Sequence, residues 1–229
     1  MKNFVQIGSG SANLDKNYED GFTSFIKKNK EDAKIFIIEA NSIHIEKLKK
    51  NWQENKFIKI FNFAIVPDSF NKKEMIFYYA EKDSPDFQIF SNSEKFVRKH
   101  FKDSEILEKK VKCKSLSVFF EENFLEKLEF LSLDIEGMDF DVLINLNLKK
   151  FEIKNISFEH LHFTFFQKIR IVYKFITHNY YFSGMGFDLR KSDWMFSKNY
   201  NLNKFKTFLL PITPRRIWKK YSFSEFIKY

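Results

Sequence analysis

Residues Phe4 to Asp15 read FVQIGSGSANLD, a short apolar run that stops at a glycine and is followed by small residues. The run from Phe4 to Gly8 predicts a first buried strand, and the glycines after it let the backbone approach a ligand closely. The turn lacks the lysine and the Ser/Thr of a P-loop, and Gly8 and Gly10 lack the third glycine of the dinucleotide fingerprint. Taken alone, the turn fits either a tight strand-to-helix connection or a ligand-binding loop.

A carboxylate ends the next predicted strand. The stretch KIFIIEA, Lys34 to Ala40, places Glu39 at the end of a second apolar run. An acid in that position accepts hydrogen bonds from the hydroxyls of a ribose, which indicates a cofactor that contains a nucleoside. NAD and S-adenosylmethionine both fit, and the incomplete glycine fingerprint favours S-adenosylmethionine, which has no pyrophosphate. The alternative for Glu39 is a solvated strand end.

Two further carboxylates follow a later strand. The stretch LEFLSLDIEGMDFDVL, Leu128 to Leu143, delivers Asp134 and Glu136 to the end of an apolar run, and Gly137 turns the chain. Carboxylates at the carboxyl end of a parallel strand are suited to act as a general base, to hold a metal or to bind a substrate hydroxyl.

The stretch ISFEHLHF predicts a fifth strand that carries two histidines. In a strand, Phe158, His160 and His162 share one face and Glu159 takes the other. Histidine can take the proton of a substrate hydroxyl, so His160 is our first candidate for a general base and Asp134 is the alternative. Asp134, Glu159 and His160 could instead hold a divalent metal, which the ligand spacing does not favour.

Short apolar runs alternate with amphipathic stretches along the whole chain, which predicts an α/β fold. We expect one domain, residues 1–229, with a doubly wound sheet of about seven mostly parallel strands and helices on both faces. The remaining predicted strands are 57–66, 72–80 and an antiparallel pair at 180–188 and 193–197. The predicted helices are 18–29, 42–55, 115–128, 139–148 and 164–179.

Two segments stand apart from this alternation. Residues 81–109 are polar and irregular, with a helix predicted around 93–100, and are a candidate lid or insert that carries His100. Residues 205–229 form a basic and aromatic C-terminal extension that includes Arg215, Arg216 and Trp218. This extension either packs as a terminal helix or makes a peripheral contact with an anionic membrane surface.

Composition limits the classes of function. The 229 residues carry a net charge of +9, but only five of the 39 basic residues are arginines, which disfavours specific nucleic-acid binding. The one cysteine, Cys113, excludes an internal disulfide and a cysteine-based metal site. We expect a cytoplasmic protein because the sequence shows neither a signal peptide nor a membrane-spanning apolar run.

These motifs, in this order, resemble those of the FkbM family of S-adenosylmethionine-dependent methyltransferases. The stretch FVQIGSGSAN is similar to the family's first motif, F-[VI]-Q-I-G-A-N-D-G, and IIEA is similar to a strand that ends in E-P. The stretch NFAIV, Asn62 to Val66, matches an N-x-A-I segment, and SNSEKFVRKH loosely matches a segment that ends in K-H. The blocks DIEGMDFDVL and FEHLHF match the D-x-E-G-x-D and F-E-H-x-H motifs, so the resemblance covers residues 4 to about 163.

The resemblance implies a Rossmann-like class I methyltransferase fold with bound S-adenosylmethionine. It implies that Glu39 contacts the ribose and that Asp134 lies close to the transferred methyl group and the substrate. The further implied cofactor contacts are Gly8, Ser9, Gly10, Asn13, Ala40, Asn62 and Ala64. Glu136, Glu159 and His100 are the further candidates for contact with the substrate.

The resemblance also implies an acceptor class, because family members that methylate hydroxyls act on sugars, glycans and small metabolites. Two alternatives remain open. The replacement of N-D-G by SGS after Gly8 allows a catalytically silent binding or assembly protein. A nucleic-acid methyltransferase is disfavoured, because DIEG stands where a base-flipping enzyme carries a motif such as N-P-P-Y.

Overall fold

The computed structural model describes residues 1–15, 18–19, 21–28, 32–52, 57–84, 88–135, 137–185, 193–199 and 204–212. Its strands are β1 Lys2–Ile7, β2 Asn13–Asp15, β3 Tyr18–Glu19, β4 Ala33–Ile38, β5 Ile58–Phe61, β6 Ala64–Val66, β7 Glu74–Ala80, β8 Ile106–Ser115, β9 Lys127–Leu133, β10 Glu152–Glu159, β11 Tyr181–Met185 and β12 Asp193–Ser197. Its helices are α1 Gly21–Lys28, α2 Ile45–Asn51, α3 Glu94–His100, α4 Leu116–Glu122, α5 Asp139–Asn145, α6 Phe165–Thr177 and α7 Lys204–Ile212, with a 3₁₀ turn at Ser42–His44 before α2.

Seven strands form the main sheet, in the order β11-β12-β10-β9-β1-β4-β5. The pairs β1–β4, β1–β9, β9–β10 and β4–β5 are parallel, and β12 is antiparallel to both β10 and β11. The predicted mostly parallel sheet with a closing antiparallel pair is therefore confirmed. The strand order reverses at β1, since β4 lies on one side of it and β9 on the other. In open α/β sheets, ligands bind beyond the carboxyl ends of the strands at this switch point.

Helices cover both faces of the sheet because the apolar side chains of its strands alternate. Val5 and Phe36 point to a core shared with α4, α5 and α6. Phe4 and Ile35 point to the opposite face, where they meet α1 and α2. The alternation of β1 and β4 thus fixes which face each helix covers.

The predicted strand 57–66 is wrong, because the chain breaks into β5 and β6 at Asn62. The Asn62 side-chain amide donates to the carbonyls of Glu39 at 2.8 Å and Ala40 at 3.1 Å. After this anchor the chain leaves the main sheet, and β6 pairs with β8 in a second, three-stranded sheet ordered β6-β8-β7. The strand predicted at 72–80 is confirmed as β7, which pairs antiparallel with β8.

Segment 81–109 contains helix α3, as predicted, but it is not irregular to its end. Residues 106–109 belong to the ten-residue strand β8. They pair with the end of β7, for example Leu107 with Tyr79. The segment therefore connects two strands of the small sheet and carries α3 between them.

The fifth predicted strand is correct but too long. Strand β10 ends at Glu159, and the chain turns where the Phe163 N–H donates to the His160 carbonyl at 3.2 Å. Thr164 then starts α6 with a capping box closed by Gln167. The prediction that His160 and His162 share a strand face with Phe158 is wrong, because both histidines belong to this turn.

Candidate functional site

The first turn of the site follows β1 and needs a glycine at its start. Gly8 has a φ of +76°, and a Cβ atom there would lie 1.6 Å from the carbonyl oxygen of Asp134. Its N–H donates to the Ile38 carbonyl at 2.9 Å, and the Asp134 N–H donates to the Ile7 carbonyl at 3.0 Å. Gly8 therefore lets the carboxyl ends of β1, β4 and β9 come together at the switch point.

Glu39 lies directly after β4 and is only 6% exposed. One of its carboxylate oxygens accepts the Gly10 N–H at 2.8 Å, and the other accepts the Asn41 N–H at 2.7 Å. Burial raises the pKa of Glu39 to about 7, although the N–H groups of Asn41 and Gly10 oppose that rise. The carboxylate thus ties the first turn to the chain after β4 and is not a solvated strand end.

The residues around Glu39 fit a nucleoside cofactor. A carboxylate offers about four lone-pair positions. The N–H groups of Gly10 and Asn41 bind Glu39 closely, and those of Ser9 and Ala40 also act on it, so a ribose hydroxyl would share the carboxylate with them. Gly10 has a φ of +53°, and a Cβ atom there would meet nothing within 4 Å, so space remains beside the acid. Ser9 is buried, and its hydroxyl donates to the Gly10 carbonyl at 3.3 Å.

Asn62 and Ala64, two of the implied cofactor contacts, lie between β5 and β6 and at the start of β6. The two hydrogen bonds of Asn62 hold its side chain against the backbone of Glu39 and Ala40. Ala64 is instead buried in a core with Phe77, so its side chain packs under the small sheet. The side chain of Asn13 and the whole of Glu136 lie outside the described residues.

Two acidic residues end neighbouring strands on the other side of the switch point. Asp134 is exposed and follows β9, and Glu159 is the last residue of β10. Because Leu133 pairs with Phe158, Asp134 and Glu159 occupy adjacent positions at the sheet edge. A carboxylate oxygen of Glu159 lies 3.3 Å from Nε2 of His162.

His160 is held by an aromatic residue that the sequence analysis did not single out. It is 8% exposed, and its ring stacks on Trp194 with centroids 4.4 Å apart and planes 20° apart. Nζ of Lys168 lies 5.8 Å from the same indole. The available signal was the predicted strand 193–197, whose pairing with β10 places Trp194 opposite Phe158.

Helix α3 brings His100 to the same edge of the sheet. The ring of Phe96 lies 4.7 Å from that of His100 and 4.7 Å from that of His162. Burial lowers the pKa of His162, and the charges of His100 and Lys99 lower it further. Segment 81–109 therefore contacts the turn after β10, and the sequence analysis missed Phe96 as the ring that joins them.

The described ranges contain neither a cluster of metal-binding side chains nor a membrane-spanning helix. No group of three or more His, Cys, Asp or Glu residues there is arranged to hold a metal ion. No helix within those ranges has the length and apolarity that crossing a bilayer requires.

Similar proteins include solved structures and one sequence family. The chain is similar in structure to a candidate RNA methyltransferase from Pyrococcus horikoshii, at 14% identity and a TM-score of 0.37, over 88% of this chain and 75% of the other. It is also similar to a candidate methyltransferase from Thermoplasma acidophilum, at 8% identity and a TM-score of 0.35, over 88% and 70% of the two chains. No curated protein matches the sequence. A sequence model of the methyltransferase FkbM domain matches residues 6–189. Because that match spans well over half of the sequence, the chain belongs to the FkbM family of methyltransferases.

Proposed function

We propose that this methyltransferase uses S-adenosylmethionine to methylate a hydroxyl group on a sugar, a glycan or a small metabolite. The observation that carries the proposal is the buried Glu39, hydrogen-bonded to the Gly10 turn across the switch point from the exposed Asp134. When bound, S-adenosylmethionine supplies a methyl group on a positively charged sulfur.

The cofactor side of the proposed site is built on Glu39. Its carboxylate would accept the ribose hydroxyls beside the backbone N–H groups that it already binds, those of Gly10 and Asn41 most closely. The Gly8 turn and the backbone held by Asn62 would border the same space. Each group is positioned by backbone hydrogen bonds already present in the protein, so little ordering is needed when the cofactor binds.

The acceptor side needs a group that takes the hydroxyl proton. We assign this role to His160, because its ring orientation is fixed by the stack on Trp194 and histidine is the side chain that most often acts as a general base. Asp134, exposed at the next strand end, would orient the hydroxyl and is the alternative base. The two assignments differ in the pH dependence of the rate. A histidine base loses activity below about pH 6.5, whereas an aspartate base keeps it down to about pH 4.

The first experiment is calorimetric titration of the protein with S-adenosylhomocysteine. We expect binding by the wild type and binding roughly tenfold or more weaker in Glu39→Gln, because a hydrogen bond to a charged acceptor contributes about 1.5–3 kcal/mol. Glu46→Gln is the matched control, since Glu46 is an exposed acid that pairs with Lys49 on α2. A folded wild type that binds no S-adenosylhomocysteine would contradict the proposed cofactor site and favour a silent binding protein.

The acceptor class is tested separately by following S-adenosylhomocysteine release with panels of saccharides, small hydroxyl compounds and RNA. We expect turnover with a hydroxyl compound and its loss in His160→Asn, with cofactor binding retained. Turnover with RNA alone would contradict the proposed acceptor while leaving the cofactor site intact.

A further inference from the structure

Large apolar side chains are exposed beside the candidate site. Leu161 is 56% exposed in the turn after β10, and Phe165 and Phe166, at the start of α6, are 60% and 75% exposed. Tyr173, two turns further along α6, is 65% exposed. The rings of Phe165 and Phe166 contact each other edge to face, with centroids 6.0 Å apart. A cluster of this kind on a surface marks an interaction site more often than isolated exposed residues do.

The periodicity of α6 places Phe166 and Tyr173 away from its buried face, whereas Phe165 is exposed as the first residue of the helix. The helix buries Ile171, Val172 and Phe175 against the sheet. At 100° per residue, Phe166 and Tyr173 fall on the opposite side of the helix. That side normally carries polar residues in a protein surrounded by water. We call Leu161, Phe165, Phe166, Arg170 and Tyr173 the α6 surface.

The charged residues of the segment that carries the α6 surface are all basic. No Asp or Glu occurs in residues 160–187, a stretch that contains Lys168, Arg170 and Lys174. Helix α7 packs against α6, contains no acid in residues 204–212 and exposes Lys204 and Lys206. Apolar rings therefore project from a segment whose own charged side chains are basic, while the acids Asp134 and Glu159 lie beside it at the sheet edge.

We propose that the α6 surface docks on an anionic lipid bilayer. Phenylalanine and leucine side chains enter the boundary between head groups and acyl chains, while Lys and Arg stay with anionic head groups. The α6 surface supplies both components, because its rings are exposed, Arg170 is exposed among them, and α7 exposes Lys204 and Lys206 beside it. Leu161 lies between His160 and His162, so a docked bilayer would meet the edge of the sheet that carries the candidate site.

The test is flotation of the purified full chain with lipid vesicles, without cofactor. We expect binding to phosphatidylcholine vesicles that contain phosphatidylserine, and much weaker binding to phosphatidylcholine alone or at high salt. The double variant F165S/F166S should bind anionic vesicles roughly tenfold more weakly, because it removes the rings that enter the interface. Phe124→Ser is the matched control, since Phe124 is an 89% exposed phenylalanine outside the α6 surface.

Melting curves of both variants must match the wild type, so that lost binding is not lost folding. Wild-type protein that ignores anionic vesicles overturns the proposal. Anionic-vesicle binding that survives in F165S/F166S but is lost in Arg170→Glu also overturns it, since the surface would then act by charge alone, as it would toward RNA. A wild-type dimer that F165S/F166S converts to a monomer would assign the surface to a second copy instead. If the protein fails to bind S-adenosylhomocysteine, the proposed function is contradicted. The vesicle experiment still tests the α6 surface, because it is performed without cofactor.

Discussion

At the residue scale, the glycine turn shows why two similar positions differ in importance. Gly8 and Gly10 both have positive φ, but a Cβ atom at Gly8 would overlap the Asp134 carbonyl, whereas Gly10 faces open space. We expect Gly8→Ala to lower the free energy of unfolding by about 3 kcal/mol or more, from overlap plus strain. Gly10→Ala is the control and should cost about 1–2 kcal/mol, the strain of left-handed backbone. Urea unfolding measures both values, and equal losses would contradict the overlap.

The carboxyl group of Glu39 makes a pH-dependent contribution to stability. Its pKa is about 7 in the folded protein, against 4.5 for a free glutamate side chain. Between these values the folded protein keeps a proton that the unfolded chain has lost, so stability falls as pH rises from about 4.5 to about 7. The loss from this group amounts to about 3 kcal/mol and stops above about pH 7.

We expect Glu39→Gln to lack this component of the pH dependence. The check is urea unfolding of wild type and variant at several pH values, with the difference in free energy plotted against pH. A difference that stays constant from pH 4.5 to 7 would show that Glu39 titrates normally in the folded protein.

The identity of this acid could be predicted from sequence, but its pKa could not. The position of Glu39 follows from the apolar run of β4, which ends at Ile38. Burial depends instead on the Gly10 turn and on Asn41 closing over the carboxylate, which is a tertiary effect.

At the element scale, Lys174 joins two helices. From α6, its Nζ donates to the carbonyls of Leu143 at 2.8 Å, Ile144 at 2.9 Å and Leu146 at 2.5 Å, at the carboxyl end of α5. Burial lowers the pKa of Lys174 to about 8.

Lys174→Met keeps the aliphatic stem but removes the donors, so we expect a loss of about 1–3 kcal/mol in unfolding free energy. Lys149→Met, at an exposed lysine just beyond α5, is the control and should change stability little. Equal melting temperatures for the two variants would show that the carbonyls need no lysine.

The errors in the predicted elements occur where strands end. Helix α6 was predictable because Thr164 and Gln167 form a local capping signal. Strand 57–66 continued an apolar pattern through Asn62, where bonds to the chain after β4 break the strand. The fifth strand, predicted over ISFEHLHF, is too long because a local turn begins at His160. At Asn62 the contacts that decide the boundary come instead from residues distant in sequence.

At the scale of the whole molecule, the apolar runs and their terminal acids predict a mostly parallel sheet of about seven strands with a candidate site at its carboxyl ends, but they do not predict the strand order. Nor do they predict the contacts of Trp194 and Phe96, because each reaches the edge of β10 from a segment far away in sequence. Segment 81–109 as a lid stays a prediction, and its contact with the turn after β10 gives a way to examine it.

That contact, in which Phe96 lies against both His100 and His162, should weaken in acid. Nε2 of His162 lies 3.3 Å from a carboxylate oxygen of Glu159, which would favour a protonated ring. Burial and the charges of His100 and Lys99 outweigh this pairing and lower the pKa of His162 below the 6.5 of a free histidine. A lowered histidine pKa means that the contact is favoured while His162 is neutral, and that this stability is lost as pH falls from about 6.5 through the lowered pKa.

We therefore expect the amides of α3 to exchange hydrogen faster as pH falls, relative to those of β9 measured in the same sample and corrected for intrinsic rates. His162→Gln should remove this relative change because it removes the titrating ring. His178→Gln, at the far end of α6, should keep it. Relative exchange in α3 that is identical for wild type and His162→Gln at every pH would mean that segment 81–109 is held by its packing on β7 and β8 alone.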